Sequence, residues 1–172
     1  MVLIVISDTN ILSTMAAGTA FPSIHRLYGQ RALVIPPAVE RELQAGFATG
    51  KTYLQPVIED ISNGRIEVLP LSAEEEFLTF SIPFELGPGE REAIALAQIR
   101  RATLLSNDKE AARYCRRKGL VVVNLVNILR LLWTRQILSI DEVRDLIARA
   151  SEVEKLTLTP GQSSVIFAPL NP

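Results

Sequence analysis

The chain has 172 residues, of which 48% are hydrophobic, and this suffices for one domain with a sizeable core. The single cysteine, Cys115, excludes an internal disulfide, and the single histidine, His25, excludes a zinc site of the usual nitrogen and sulfur kind. Neither a membrane-spanning apolar run nor a signal peptide is recognisable, so we expect a cytoplasmic protein in which oxygen atoms hold any bound metal. The formal net charge of −1 does not exclude nucleic acid, because neutralisation of four carboxylates by metal would leave a positive remainder.

Five short β-branched or aliphatic runs predict strands at 2–7, 32–36, 65–70, 103–106 and 120–124. Segments of helical periodicity lie between and after them, at 10–17, 21–29, 37–46, 52–63, 72–81, 88–102, 108–118, 125–136 and 139–155. Strands separated by helices indicate an α/β fold, a three-layer α/β/α sandwich with a central five-stranded parallel sheet and extra C-terminal helices. We expect one domain over 1–156 and a tail at 157–172, in which SSVIFAP could form an edge strand or bind a partner.

Two aspartates follow predicted strands. Asp8 comes directly after the first strand, and Asp108 comes after the fourth. Each could be a helix N-cap, since Asp commonly accepts hydrogen bonds from the amides of the next turn. Because the carboxyl ends of parallel strands meet at one edge of a sheet, the pair also predicts a cation site at that edge.

Two further segments supply acids that could join this edge. In PPAVERELQAG, Glu42 lies on the apolar stripe of its helix with Val39 and Leu43, whereas Glu40 falls off that stripe in the first turn and is interpreted as structural.

In LGPGEREAIALAQIRRA, either Glu90 or Glu92 could reach the edge. A helical wheel favours Glu92, and proximity to the helix start favours Glu90.

The ordered set SDTNIL, PPAVEREL, GEREAIALA and LLSND resembles a PIN domain over residues 2 to about 125. The resemblance is strongest to the small prokaryotic branch related to VapC-type toxins of toxin–antitoxin pairs. It implies that the metal-binding acids correspond to Asp8, Glu42, Glu90 and Asp108, because a gap-free register from Asp108 places the third acid on Glu90. This position is usually Asp in those toxins, so the Glu is a departure, and Glu92 is held in reserve.

The resemblance implies a metal-dependent endoribonuclease that uses Mg²⁺ or Mn²⁺, both of which prefer oxygen ligands. Asn10 and Ser106 are expected to orient water or phosphate through hydrogen bonds, and Glu110 occupies the position of a further acid. RNA as the substrate follows from the resemblance alone. So do an antitoxin protein as a partner and a homodimer, for which Trp133 is a candidate anchor.

Basic residues near the fourth predicted strand could contact RNA phosphates, although Arg and Lys also favour helix C-termini for local reasons. They are Arg100, Arg101, Arg113, Arg116, Arg117 and Lys118.

Alternative classes fit less well. A haloacid-dehalogenase-like phosphotransferase expects a second Asp where this chain has Asn10, and a receiver-like domain expects paired acids after the first strand. A non-catalytic PIN-fold module that binds RNA or a protein partner is the main alternative, and the presence of all four acids argues against it.

Overall fold

The computed structural model describes residues 4–29 and 33–169. Within these residues the strands are β1 (Val5–Ser7), β2 (Leu33–Ile35), β3 (Glu67–Val68), β4 (Thr103–Leu105) and β5 (Val122–Val123). They pair in parallel in the order β3-β2-β1-β4-β5, with β1 in the centre. The predicted five-stranded parallel sheet is therefore confirmed, although each strand is shorter than predicted. Residues 2, 3 and 32 of the predicted strands, and 170–172 of the tail, lie outside the described residues.

Ten α-helices occur in the described residues, and nine of them correspond to the predicted helices. They are α1 (Thr9–Ala17), α2 (Pro22–Tyr28), α3 (Pro37–Ala48), α4 (Gln55–Ser62), α5 (Ala73–Thr79), α6 (Pro88–Arg100), α7 (Lys109–Arg117), α8 (Leu125–Thr134), α9 (Ile140–Glu154) and α10 (Pro160–Ile166). The helix predicted at 52–63 is instead a 3-10 turn (Thr52–Leu54) followed by α4. Pro56 explains the restart, because a residue without an N–H is best placed in the first turn of a helix.

The sheet separates two hydrophobic cores. Successive strand residues point to opposite faces, so Val5 packs into one core and Ile6 into the other. The first core contains α1 and the C-terminal helices α8 and α9, and the second contains α6 and α7. This arrangement confirms the three-layer sandwich. None of the helices in 4–29 and 33–169 combines the length and apolarity needed to cross a bilayer.

The C-terminal tail is helical where an edge strand was considered. Thr159 and Gln162 form a capping box that starts α10. The indole Nε1 of Trp133 donates to the carbonyl oxygen of Ile166 at 2.7 Å, and Arg130 donates to the carbonyl oxygen of Ala168 at 2.9 Å. Trp133 is therefore engaged within its own chain, where it holds α10 against α8.

Candidate active site

Asp8 is buried at the carboxyl end of the central strand, where only 1% of its surface is exposed. Its amide donates to the carbonyl oxygen of Leu105 at 3.0 Å, which fixes it beside the end of β4. Its Oδ1 accepts from the amide of Ile11 at 2.9 Å, so the residue is the N-cap of α1. The helix cap considered from the sequence is thus present, and it uses one carboxylate oxygen.

The second oxygen of Asp8 is buried and unsatisfied. Among the described residues, Oδ2 has no hydrogen-bond partner. Burial, and to a lesser extent the negative charge of Glu90, raise the pKa of Asp8 to about 6, although the Ile11 amide, the Ser106 side chain and the Asn107 amide favour the charged form. Since a buried polar atom without a partner is costly, Oδ2 is the oxygen best placed to bind an added cation.

Asp108 is the N-cap of α7 and lies close to the same edge. Its Oδ1 accepts from the amide of Ala111 at 2.7 Å, and its own amide donates to Oγ of Ser106 at 3.2 Å. Ser106 is almost completely buried, and its side chain lies near both Asp8 and Asp108. β1 and β4 pair directly and in parallel, with Ser7 opposite Leu105, so the two aspartates follow neighbouring strands at the same edge of the sheet.

Glu42 bridges α1 and α6. One of its carboxylate oxygens accepts from the hydroxyl of Thr9, and the other accepts from the amide of Gly89 at 3.0 Å. A Cβ on Gly89 would lie 2.7 Å from Oε2 and 2.8 Å from Oε1 of Glu42. Gly89 therefore admits the carboxylate to the edge that carries Asp8, because any larger residue would displace it.

Glu90 and Glu92 have different environments. Glu90 lies in the first turn of α6, and its charge acts on Asp8. Glu92 accepts from the amide of Ala38 at 2.8 Å and pairs with Arg41 at 3.4 Å, so it closes the N-terminus of α3. The helical wheel placed Glu92 near the apolar face of α6. Its contact with the Ala38 amide of α3 explains that direction.

The acids are near one another but are bound to separate donors. Within residues 4–29 and 33–169, no three acidic, histidine or cysteine side chains converge closely enough to hold a metal ion. Asp8 and Asp108 each cap a helix with one oxygen, and Glu42 accepts from Thr9 and Gly89. The donor set, all carboxylate oxygen with one buried oxygen unpaired, fits a hard divalent cation such as Mg²⁺ or Mn²⁺.

Two of the secondary residues lie at the surface. Asn10 is exposed in the first turn of α1, and Glu110 is exposed and pairs with Arg113 at 3.1 Å.

Most of the basic residues lie away from the acids. α7 runs from Asp108 at the carboxyl edge to the beginning of β5, so Arg116, Arg117 and Lys118 lie toward the opposite edge. Arg101 and Lys118 line a cavity of about 360 Å³ there. Arg100 is bound to Glu75 on α5.

Sequence reasoning missed a polar cavity beside the acids. It has a volume of about 410 Å³ and is lined by residues that include Asn10, Asp108, Lys109 and Glu154. Glu154, at the end of α9, accepts from the hydroxyls of Ser13, Thr14 and Tyr53. The position of Lys109 could have been predicted, because it follows Asp108 in the sequence. The position of Glu154 depends on contacts between distant parts of the chain.

The parallel sheet with acids at its carboxyl edge defines a three-layer α/β protein with a candidate cation site at that edge. A family model described as PIN domain matches residues 4–161. The chain therefore belongs to the PIN domain family, and the resemblance stated from its sequence is confirmed.

Among solved structures, the chain is similar to the crystal structure of VapBC2 from Rickettsia felis bound to a DNA fragment from their promoter. The TM-score is 0.53 at 23% identity, over 71% of this chain and 98% of that chain, which shows a shared fold. No curated protein matches the chain.

Gly89→Ala is expected to displace Glu42 without unfolding the chain. The new Cβ meets only the mobile end of the Glu42 side chain, while alanine favours the helix by about 0.5–1 kcal/mol. We expect the melting temperature to stay close to that of wild type, because the gain in helix propensity is offset by the lost hydrogen bonds of Glu42 with Thr9 and Gly89. The rise in melting temperature produced by Mn²⁺ should be reduced. Gly161→Ala is the matched control, since its nearest atom is 3.9 Å away. An unaltered Mn²⁺ response in Gly89→Ala would contradict the placement of Glu42.

Asp8→Asn is expected to stabilise the metal-free chain at neutral pH. The folded-state pKa of about 6 exceeds the ordinary 3.8, so the folded state binds the proton more tightly and stability falls as pH rises between these values. Asn keeps the helix cap and removes the buried charge, so above about pH 7 the free energy of unfolding should rise by about 1–3 kcal/mol.

Urea unfolding with chelator over a pH series measures this effect, and the difference should vanish near pH 4, below the ordinary pKa. Asp108→Asn is the control, because it also exchanges an N-cap but at a more exposed position, and it should change stability by less than about 1 kcal/mol. Equal destabilisation by both substitutions at neutral pH would be inconsistent with a charged, half-satisfied Asp8.

Proposed function

We propose that this PIN domain protein is a metal-dependent endoribonuclease that hydrolyses RNA phosphodiester bonds. The observation that carries the proposal is the unpaired, buried Oδ2 of Asp8 at an edge shared with Asp108, Glu42 and Glu90. A buried acid with a raised pKa, such as Asp8, is typical of functional sites. Membership of the PIN domain family supports the same reaction class.

Asp8, Glu42, Glu90 and Asp108 would hold the divalent cation, Mg²⁺ or Mn²⁺. When bound, such an ion activates water for attack and neutralises charge on the phosphate. Glu92 is not included among these ligands, because its two carboxylate oxygens already accept from the Ala38 amide and from Arg41.

The other residues of the edge would position the substrate. Ser106 holds the Asp108 amide at 3.2 Å and faces Asp8, so it orients both aspartates. Asn10 and Lys109 border the cavity beside Asp108, where an amide and an ammonium group can donate to phosphate oxygens. The exposed Arg116, Arg117 and Lys118 would contact RNA that extends past the sheet, whereas Arg100 is committed to Glu75.

We further propose that the chain is the toxin of a toxin–antitoxin pair. The structural neighbour is VapBC2, and it was crystallised with DNA from the promoter of its own components. By analogy, this chain would bind an antitoxin protein and form a homodimer. RNA as the substrate rests on the family relationship rather than on a residue that distinguishes RNA from DNA.

Cleavage of single-stranded RNA tests the proposal. We expect Mg²⁺- or Mn²⁺-dependent cleavage that falls about 100-fold or more in Asp8→Asn and Asp108→Asn, because each removes a charged ligand while keeping its helix cap. Glu92→Gln is the matched control and should retain activity within about threefold, since Gln can still accept from the Ala38 amide. End-labelled RNA resolved on denaturing gels measures the rates.

Cleavage that is insensitive to Asp8→Asn would contradict the mechanism. Absence of cleavage with any metal or RNA, combined with retained RNA or partner binding, would favour the non-catalytic module. The observation that favours this second candidate is that Asp8, Asp108 and Glu42 each already accept hydrogen bonds from separate protein donors.

A further inference from the structure

Three phenylalanines stand out at the surface of the molecule. Phe77, Phe80 and Phe84 are 75%, 68% and 72% exposed, and they make up half of the phenylalanines in the chain. Large apolar side chains clustered at a surface mark sites of interaction more often than isolated ones do. We call these three residues the phenylalanine surface.

The same segment is anchored by its opposite side. Ile82 and Leu86 are buried in the second core, and Leu78 packs against it. The segment therefore carries two sets of apolar side chains, of which one is covered by the fold. Burial of the core side explains why the segment is held in place, but it gives no reason for three exposed aromatic rings.

The phenylalanine surface is presented on a rigid support. Glu75 of α5 is fully buried and accepts from Nε and Nη2 of Arg100 on α6, at 2.7 and 3.1 Å. Ser72 and Glu75 also form a capping box that fixes the start of α5. The Arg91 guanidinium lies 5.0 Å from the centre of the Phe84 ring. A partner would therefore meet a segment whose position on the fold is already set, which lowers the entropic cost of binding.

Charge around the surface selects the kind of partner. Among the six glutamates of residues 72–92, Glu74, Glu76 and Glu85 are exposed, and Arg91 is the one basic residue of that segment. RNA is disfavoured here, because its phosphates would face these carboxylates. A second copy joined about a two-fold axis is disfavoured as well, because the same carboxylates from both copies would oppose each other.

We propose that the phenylalanine surface docks a partner protein through an amphipathic segment that carries aliphatic or aromatic side chains flanked by Lys and Arg. The apolar side chains cover the three rings, and the basic groups pair with Glu74, Glu76 and Glu85, which are exposed around them. Phe84 lies three residues before Gly87, the N-cap of α6, so the docked segment borders the turn that carries Glu90.

Differential peptide selection tests the proposal with the full chain. A random peptide library is selected on the wild-type protein and counter-selected on the triple variant Phe77→Ser, Phe80→Ser and Phe84→Ser. We expect enrichment of peptides rich in Lys, Arg and apolar residues, with affinity at least about 30-fold weaker for the triple variant. Failure to enrich peptides that depend on the three rings, or enrichment of acidic ones, would overturn the proposal.

A second variant tests the role of charge. Glu74→Gln, Glu76→Gln and Glu85→Gln together should weaken the selected peptides about fivefold or more at low salt and less at high salt. Unchanged affinity at low salt would overturn the assignment of a basic partner. The control Val121→Ser, Val153→Ser and Val165→Ser removes exposed apolar residues elsewhere and should leave affinity unaltered.

Four further readouts separate the alternatives. Thermal unfolding should show that the phenylalanine variant is folded, since the altered rings are largely exposed. A dimer that dissociates in this variant by sedimentation would assign the surface to a second copy, and lost RNA binding would assign it to RNA; either result overturns the proposal. RNA cleavage by the isolated chain should be the same in the variant and the wild type, so failure of docking is distinguishable from failure of the proposed nuclease activity.

Discussion

The carboxyl group of Asp8 is the constraint on which the site depends. The central strand buries this residue, and the amide of Ile11 satisfies one oxygen, while the other has no partner among the described residues. Burial raises its pKa to about 6, which means that the fold bears a cost at neutral pH for keeping the group charged. Such a cost is typical of residues that are retained for function rather than for stability.

The surrounding elements bring three further carboxylates to the same end of the sheet by different means. The pairing of β4 with β1 places Asp108 beside it, and Gly89 leaves the space that Glu42 occupies. Glu90 enters from the first turn of α6, close enough for its charge to act on Asp8. Backbone amides donate hydrogen bonds to most of these carboxylates and so orient them. Carboxylate oxygens are the ligands that a hard divalent cation prefers. The membership of the PIN domain family gives the same expectation.

Much of this arrangement could be predicted from the sequence, because it rests on local signals. Short apolar runs followed by Asp8 and Asp108 predicted the sheet and its polar edge, and parallel pairing brought the two residues to neighbouring strands. The capping box at Thr159 and Gln162 was equally local and could have predicted α10.

Other features depend on contacts that no local pattern contains. Glu92 faces inward, as the helical wheel indicated, but its partner is the Ala38 amide of another helix. Glu154 reaches Ser13 and Tyr53 across most of the chain length. The basic residues of α7 looked close to the site in sequence, yet the direction of the helix carries Arg117 and Lys118 to the opposite edge of the sheet.

Direct titration of Mn²⁺ binding tests the central claim, that Asp8, Glu42, Glu90 and Asp108 form one cation site. The decisive comparison is between Glu90→Gln and Glu92→Gln, two acids that lie in the same helix and face different partners. We expect the dissociation constant for Mn²⁺ to rise about tenfold or more in Glu90→Gln and to stay within about twofold of wild type in Glu92→Gln. Mn²⁺ binding that is lost in Glu92→Gln but retained in Glu90→Gln, or that is unchanged in both, would contradict the site as described.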